Sequence, residues 1–239
     1  MGEGRSERPV VAIVPARGGS KRIPRKNIKP FLGTPLIVRT IGTLVDSHLF
    51  DIVIVSTDDE EIAHLAVEAG ASAPFRRPAE LADDLSGTAP VIRHAVQELE
   101  PELGTTVGIV CAVYPAAVFT RSRDLIESLP MMDDGEVDFV FAATTFAYPI
   151  QRALRRLPDG SCEMLWPQHL MTRSQDLEET YHDAGQFYWG RRDAWLSERA
   201  VFSARSRLYL MPRHRVQDID TAEDWESAEL LFEILEKSD

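Results

Sequence analysis

Five cations and two glycines are packed into Pro15 to Asn27 (PARGGSKRIPRKN), directly after the apolar run Val10 to Val14. From Arg8 to Arg39 the chain carries eight Lys or Arg and no Asp or Glu, so this segment is +8 in a chain of net charge -12. The remainder therefore sums to -20, and a cationic island in so acidic a chain points to a polyanionic ligand. Gly18 and Gly19 are expected to adopt conformations closed to other residues and to bring backbone N–H groups close to an anion. Arg17, Lys21, Arg22, Arg25 and Lys26 supply charge for phosphate oxygens. This is the pattern of a triphosphate cradle without the G-x-x-x-x-G-K-[ST] or G-x-G-x-x-G spacing of the common nucleotide loops. The competing reading is a solvated basic surface loop.

A second constellation is Asp218-Ile219-Asp220. In an extended chain the two carboxylates would share one side, with Ile219 turned to the core. Such a pair suits Mg²⁺, which takes one or two carboxylates together with substrate phosphates and water. The alternative role is capping of the following helix by Asp220 or Thr221.

The elements that must position these groups read as an alternation of strands and helices. Val10 to Ala16, Asp51 to Ser56, Val107 to Val113 and Val137 to Ala143 are continuous apolar runs of buried-strand type. Leu36 to Leu49, the segment after Thr57 and Glu60 (a capping box) up to Gly70, Thr88 to Leu99 and Arg121 to Leu129 have helical periodicity. This predicts an α/β three-layer sandwich around a mostly parallel sheet, with ligands outside the carboxyl ends of the strands, where Pro15 to Asn27 lies. After Ala143 the rhythm changes. Arg152 to Leu157, the turn Pro158-Asp159-Gly160 and Cys162 to Trp166 predict a β-hairpin. Gln186 to Trp189 and Arg207 to Met211 return to strand character, and Thr221 opens a last helix to about Glu236. A single domain, residues 1–239, is expected, with 148–181 as a protrusion within it.

Composition narrows the function. With 44% hydrophobic residues and 239 positions the chain can bury a sizeable core. Two cysteines, Cys111 and Cys162, do not make a disulfide framework, and the six histidines lack zinc-site spacing. No apolar stretch approaches the ~20 residues of a membrane span, and MGEGRSERP lacks a signal-peptide core. A soluble, cytoplasmic protein is expected, with no membrane partner. The acidity argues against a nucleic-acid partner, because duplex binding needs broad phosphate neutralisation.

The loop resembles the signature PAR-x-G-S-K-x-x-x-x-K-N of the CMP-sialic acid synthetases, cytidylyltransferases that activate nine-carbon sugar acids. Pro15-Ala16-Arg17, Gly19-Ser20-Lys21 and Lys26-Asn27 stand at that spacing. IPRKNIKP (Ile23 to Pro30), YPIQRAL (Tyr148 to Leu154) and TRSQDLEETYHDAGQFYWG (Thr172 to Gly190) look most like the branch acting on pseudaminic acid. The likeness runs from about Val10 to Glu229. It implies a Rossmann-like nucleotidyltransferase that uses Mg²⁺ to transfer CMP from CTP to a nine-carbon ulosonic acid, as a homodimer built through the hairpin protrusion.

The resemblance also assigns roles. Arg17, Lys21 and Lys26 would act on the phosphates and Asp218 and Asp220 would hold the metal, while Ala16, Gly18, Gly19, Ser20 and Asn27 would form the nucleotide cradle. Asp84, Ser86 and Thr88 resemble a D-x-[ST]-x-[ST] stretch that contacts the nucleotide, with helix capping by Ser86 or Thr88 an equal alternative. Asp183, Gln186, Phe187 and Tyr188 resemble the [ND]-G-A-x-Y segment of the sugar pocket, with the Ala-Gly order swapped; Phe187 and Tyr188 are otherwise strand core. Arg173 and Gln175, with Asp176, match an R-x-Q-D segment whose guanidinium would meet the substrate carboxylate; an exposed intrachain ion pair is the alternative. Where many relatives carry Q-P-T-S-P-L, this chain has Tyr114-Pro115-Ala116-Ala117-Val118-Phe119. Tyr114 thus replaces a sugar-contacting Gln, which suits the more deoxygenated pseudaminic acid. The rivals are the same reaction on legionaminic or N-acetylneuraminic acid, and a nucleotide-binding module without turnover. No side chain stands out as general base.

Overall fold

In the computed structural model, residues 8–83, 86–197 and 199–237 are described. In chain order the strands and helices are β1 (Val10–Pro15), β2 (Pro30–Phe31), β3 (Thr34–Pro35), α1 (Leu36–Asp46), β4 (Ile52–Ser56), α2 (Glu60–Glu68), α3 (Thr88–Leu103) and β5 (Ile109–Val113). They continue with α4 (Ser122–Ser128), β6 (Phe139–Thr145), β7 (Leu154–Arg156), β8 (Cys162–Met164), β9 (Tyr181–Arg191), α5 (Arg192–Leu196), β10 (Ser206–Leu210) and α6 (Ala222–Glu236).

Period-two alternation builds the layers. In β1, Val10, Ala12 and Val14 pack with Ile37 and Ile41 of α1 and Ile62 of α2, whereas Val11 and Ile13 pack with Ile92 and Val96 of α3 and Trp195 of α5. Helices thus cover both faces, as continuous apolar strands require. Among the described residues the central sheet has the order β10-β6-β9-β5-β1-β4. β4, β1 and β5 pair in parallel, as do β6 and β10, and β9 runs antiparallel between β5 and β6. The mostly parallel α/β sandwich is as expected; the reversed β9 inserted at its centre is not foreseen by the apolar runs.

A third cluster positions the chemistry. Ile23 from the cationic loop, Phe31 of β2, Phe119, Ile219 and Trp225 of α6 are buried together. Ile23 pins the cationic loop and Ile219 pins Asp218-Ile219-Asp220 to one hydrophobic base, so two segments about 200 residues apart in sequence are fixed beside each other. The predicted hairpin is present as β7 and β8, with Arg155 opposite Glu163 and Gly160 at φ 87 in its turn.

One local expectation changes. Asp59, not Thr57, caps α2: its carboxylate accepts from the N–H groups of Glu61 and Ile62, while Thr57 Oγ1 accepts from Asp59 N. Among the described residues no helix is long and apolar enough to cross a membrane.

Candidate functional site

The sheet places the cationic loop at the carboxyl end of β1, beside the ends of β4 and β5. A cavity of about 580 Å³ opens there, walled by Arg17, Ser20, Lys21, Arg22, Lys26 and Asn27 on one side and by Tyr114, Asp218 and Asp220 on the other. Two constellations separated by the length of the chain therefore face one another, cations against carboxylates.

Hydrogen bonds fix the loop. Asn27 Nδ2 donates to the carbonyl of Arg17 at 2.9 Å, closing the loop on itself. Gly18 N donates to Asp58 Oδ1 at 3.0 Å. Neither Gly18 nor Gly19 lies among the positive-φ residues, which corrects the expectation of forbidden backbone conformations. Gly18 is required for another reason: a Cβ there would come within 2.6 Å of Asp59 Oδ2. Gly19 borders open space and is exposed, and Ala16 is buried with its N–H on the Ser56 carbonyl. Arg25 is also not a cradle residue. It takes φ 55, turns away and pairs with Asp59 and Glu61.

The D-x-D geometry is the one alternation implies. Ile219 is 1% exposed, and both flanking carboxylates line the cavity. Thr221 and Asp224 form the capping box of α6, so capping is done without the Asp220 carboxylate. Asp220 is met by Arg22 Nη1 at 2.8 Å and by Lys26 Nζ at 3.4 Å. Burial, and then the neighbouring charge of Asp220, raises the Asp218 carboxyl above its ordinary range. Two carboxylates lining one cavity suit a divalent cation. Among the described residues no cluster of three or more His, Cys, Asp or Glu could hold a metal, so the pair fits Mg²⁺ shared with phosphate and water oxygens and does not fit an all-protein cage.

A second cavity of about 410 Å³ shares Tyr114, Gly185 and Asp218 with the first and continues to Asp183, Tyr188 and Gln217. Gly185 takes φ 62, its N–H donating to Asp183 Oδ1 at 3.0 Å, in a bulged stretch of β9. The swapped Ala-Gly order thus places glycine where a left-handed residue is needed. Tyr188 donates to Asp183 Oδ2 at 2.6 Å, and burial raises its phenol well above the ordinary tyrosine range, so it stays a neutral donor. Tyr114 Oη lies 2.5 Å from Thr88 Oγ1 and packs edge-on against Tyr188.

Other expected residues lie elsewhere. Gln186 is buried: its Oε1 accepts from Thr120 Oγ1 at 2.6 Å and its Nε2 donates to the Arg215 carbonyl at 2.7 Å, leaving the side chain spent inside the core. Phe187 is fully buried on the α1 face. Both are corrected from sugar contacts to core residues, because the bulge at Gly185 turns their side chains away from the cavity. Ser86 donates to the Glu80 carbonyl, its own N–H goes to Asp83, and Gly87 occupies the N-cap of α3, so neither Ser86 nor Thr88 caps that helix. Asp84 lies outside the described residues. Arg173 is exposed and pairs with Asp176, and Gln175 borders a separate cavity with Tyr148 and Pro149. The folded chain does not by itself bring these two to the site.

Sequence reasoning missed Asp58, Asp59 and Arg77. Arg77 is 5% exposed, donates to the Ser56 carbonyl and hydroxyl, and sits near enough to Arg17 and Asp58 to feel both charges. Burial pushes its pKa down to about 10, so it remains a cation beneath the loop. The available signal was position: residues 57–59 follow β4, whose carboxyl end adjoins that of β1.

Residues 11–235 match the family described as cytidylyltransferase. The chain is 42% identical over 228 residues, 95% of its length and 98% of the relative's, to a pseudaminic acid cytidylyltransferase of Campylobacter jejuni serotype O:2. It is 32% identical over 94% of its length to N-acylneuraminate cytidylyltransferase A of Danio rerio, of which it spans 51%. In three dimensions it resembles a CMP:2-keto-3-deoxy-manno-octonic acid synthetase complexed with CTP, with TM-score 0.66, 19% identity, and 93% and 98% of the two chains covered.

Proposed function

Because the chain belongs to the cytidylyltransferase family, we propose that it transfers CMP from CTP to the anomeric hydroxyl of pseudaminic acid, releasing pyrophosphate. The observation that carries this reading is the junction of the two cavities at Asp218 and Tyr114, between the cationic loop and the Asp183 pocket. A triphosphate in the first cavity would be met by Arg17, Lys21 and Lys26. A sugar in the second would present its hydroxyl to the α-phosphorus across the junction. In-line attack then forms the new P–O bond as the bond to pyrophosphate breaks, the hydroxyl proton leaves to solvent water or to the departing pyrophosphate, and the loop cations offset charge on the departing oxygens. Asp218 and Asp220 would hold Mg²⁺, which when bound screens phosphate charge.

Tyr114 supports pseudaminic acid among the nine-carbon sugar acids. Its hydroxyl is already engaged with Thr88, so it offers the pocket mainly an aromatic face. Dimerisation through residues 148–181 is part of the proposal. Tyr148 and Met171 are 84% and 89% exposed, a large apolar surface for a short hairpin region that gains stability by docking. Arg173 and Gln175 would then reach the pocket of the second copy. A soluble, cytoplasmic setting completes the reading.

The test is pyrophosphate release with CTP, Mg²⁺ and pseudaminic acid, run beside Asp218→Asn and Asp220→Asn. Each variant is expected to lose at least about 100-fold in turnover, since removing one group that stabilises transition-state charge typically costs ~2.7–4 kcal/mol. Folding should be unchanged by circular dichroism. Near-wild-type turnover in both variants would remove the metal assignment.

A further inference from the structure

The two cations of the loop nearest to the D-x-D pair face a choice of anions. Asp220 has both carboxylate oxygens engaged, Oδ2 by Arg22 Nη1 at 2.8 Å and Oδ1 by Lys26 Nζ at 3.4 Å. Arg22 and Lys26 line the same cavity as the other loop cations, and Lys26 is largely buried there. Asp218 lines it as well, yet no described cation lies within ion-pair distance of its carboxylate. The pair is therefore asymmetric: the loop holds one carboxylate by direct contact, whereas Lys26 reaches the other only through its charge.

We propose that Arg22 and Lys26 hold Asp220 while the cavity lacks nucleotide and move to the phosphates when it arrives, so that triphosphate and divalent cation bind with positive coupling. The inference rests on the reading of this cavity as a CTP site and extends it. Each ligand removes an obstacle to the other. A dication approaching Asp220 first meets two positive charges and oxygens already occupied; a triphosphate approaching Arg22 and Lys26 must first displace a carboxylate. Once the cations have turned to phosphate, Asp220 is open to the metal. Linkage requires the effect to be reciprocal, and couplings of this type typically amount to about 5- to 150-fold.

Calorimetry with CTP in excess EDTA, on wild type, Asp220→Asn and Asp218→Asn, separates this mechanism from a general field effect. Both substitutions remove one negative charge from the same cavity. If Asp220 competes for the loop cations, Asp220→Asn tightens metal-free CTP by about tenfold, and Asp218→Asn by much less. Equal gains in the two variants, or none in Asp220→Asn, would overturn the proposal. A second arm titrates the nucleotide-free protein with Mn²⁺ and follows free metal by electron paramagnetic resonance. Arg22→Gln should bind Mn²⁺ several-fold more tightly than wild type, and unchanged or weaker binding would also overturn it. Wild type that binds no CTP even with Mg²⁺ present would instead refute the nucleotide site itself.

Discussion

Adding one methyl group at Gly18 should weaken both the fold and nucleotide binding. The Cβ of Gly18→Ala would stand 2.6 Å from Asp59 Oδ2, 3.2 Å from Asp59 Cγ and 3.0 Å from Asp59 Cβ, so Asp59 must move as a whole. That carboxylate has little freedom. Its Oδ1 accepts from Glu61 N at 3.0 Å and Ile62 N at 3.1 Å at the start of α2, and its other oxygen pairs with Arg25. Loss of such a cap costs about 1 kcal/mol, and forcing an extra methyl into a filled space costs ~1–3 kcal/mol. The expected destabilisation is about 2 kcal/mol, a fall in Tm of ~4–8 °C for a chain of this size. Because the Gly18 N–H is anchored on Asp58, the shift would travel into the loop and weaken CTP binding by roughly tenfold. Differential scanning fluorimetry and calorimetry read the two effects. The double variant Gly18→Ala with Asp59→Ala removes the obstructing carboxylate, the nearest of the clashing groups, and its loss should be smaller than the sum of the two single losses. Additive losses, or a Gly18→Ala protein as stable as wild type, would refute the steric account.

The buried Arg215–Asp124 pair is bidentate, at 2.6 and 2.8 Å, and Arg215→Leu should cost ~3–5 kcal/mol in urea unfolding because the carboxylate is left buried without its cation; a loss under about 1 kcal/mol would show the pair to be solvated. Acid stability has a local source at Asp138, whose carboxyl is held below its ordinary range chiefly by its hydrogen bond to Arg205, against burial and with help from Arg199. The unfolded chain therefore takes up the proton first. The stabilisation is complete above about pH 4 and is lost as pH falls through the lower folded value, so Asp138→Asn should flatten the stability profile in that acid window and leave its shape near neutrality; an unaltered acid limb would contradict this.

How much of this was legible in the sequence depends on the range of the interaction. Val10 to Val14 was readable because an unbroken apolar run marks a strand buried on both faces, Asp218-Ile219-Asp220 because side-chain alternation is local and strict, and the capping role of Thr221 because a cap spans only three residues. The cationic loop was legible as charge, but which cations face the ligand was not. Arg25 is drawn off by Asp59 and Glu61, 34 and 36 residues away, and Arg39 folds onto the carbonyls of Phe31 and Leu32. The direction of β9 rests on its register with β5, Phe187 opposite Val113, which no window of neighbouring residues contains. The same applies to Gln186, whose partners Thr120 and Arg215 come from two other segments. A polar residue in a strand can face a ligand or a buried hydroxyl, and only the fold decides between them.

The central claim is tested most directly by the ratio of kcat/KM for pseudaminic acid and N-acetylneuraminic acid in CTP-dependent formation of the CMP-sugar, followed by mass spectrometry of the product. With Tyr114 and Ala116 in place of a hydrogen-bonding Gln-x-Thr, the hydroxyls peculiar to N-acetylneuraminic acid would be desolvated without partners. The account predicts a preference for pseudaminic acid of at least about 100-fold. Equal efficiency with the two sugars would contradict it, and would show that Tyr114 does not set the choice of sugar.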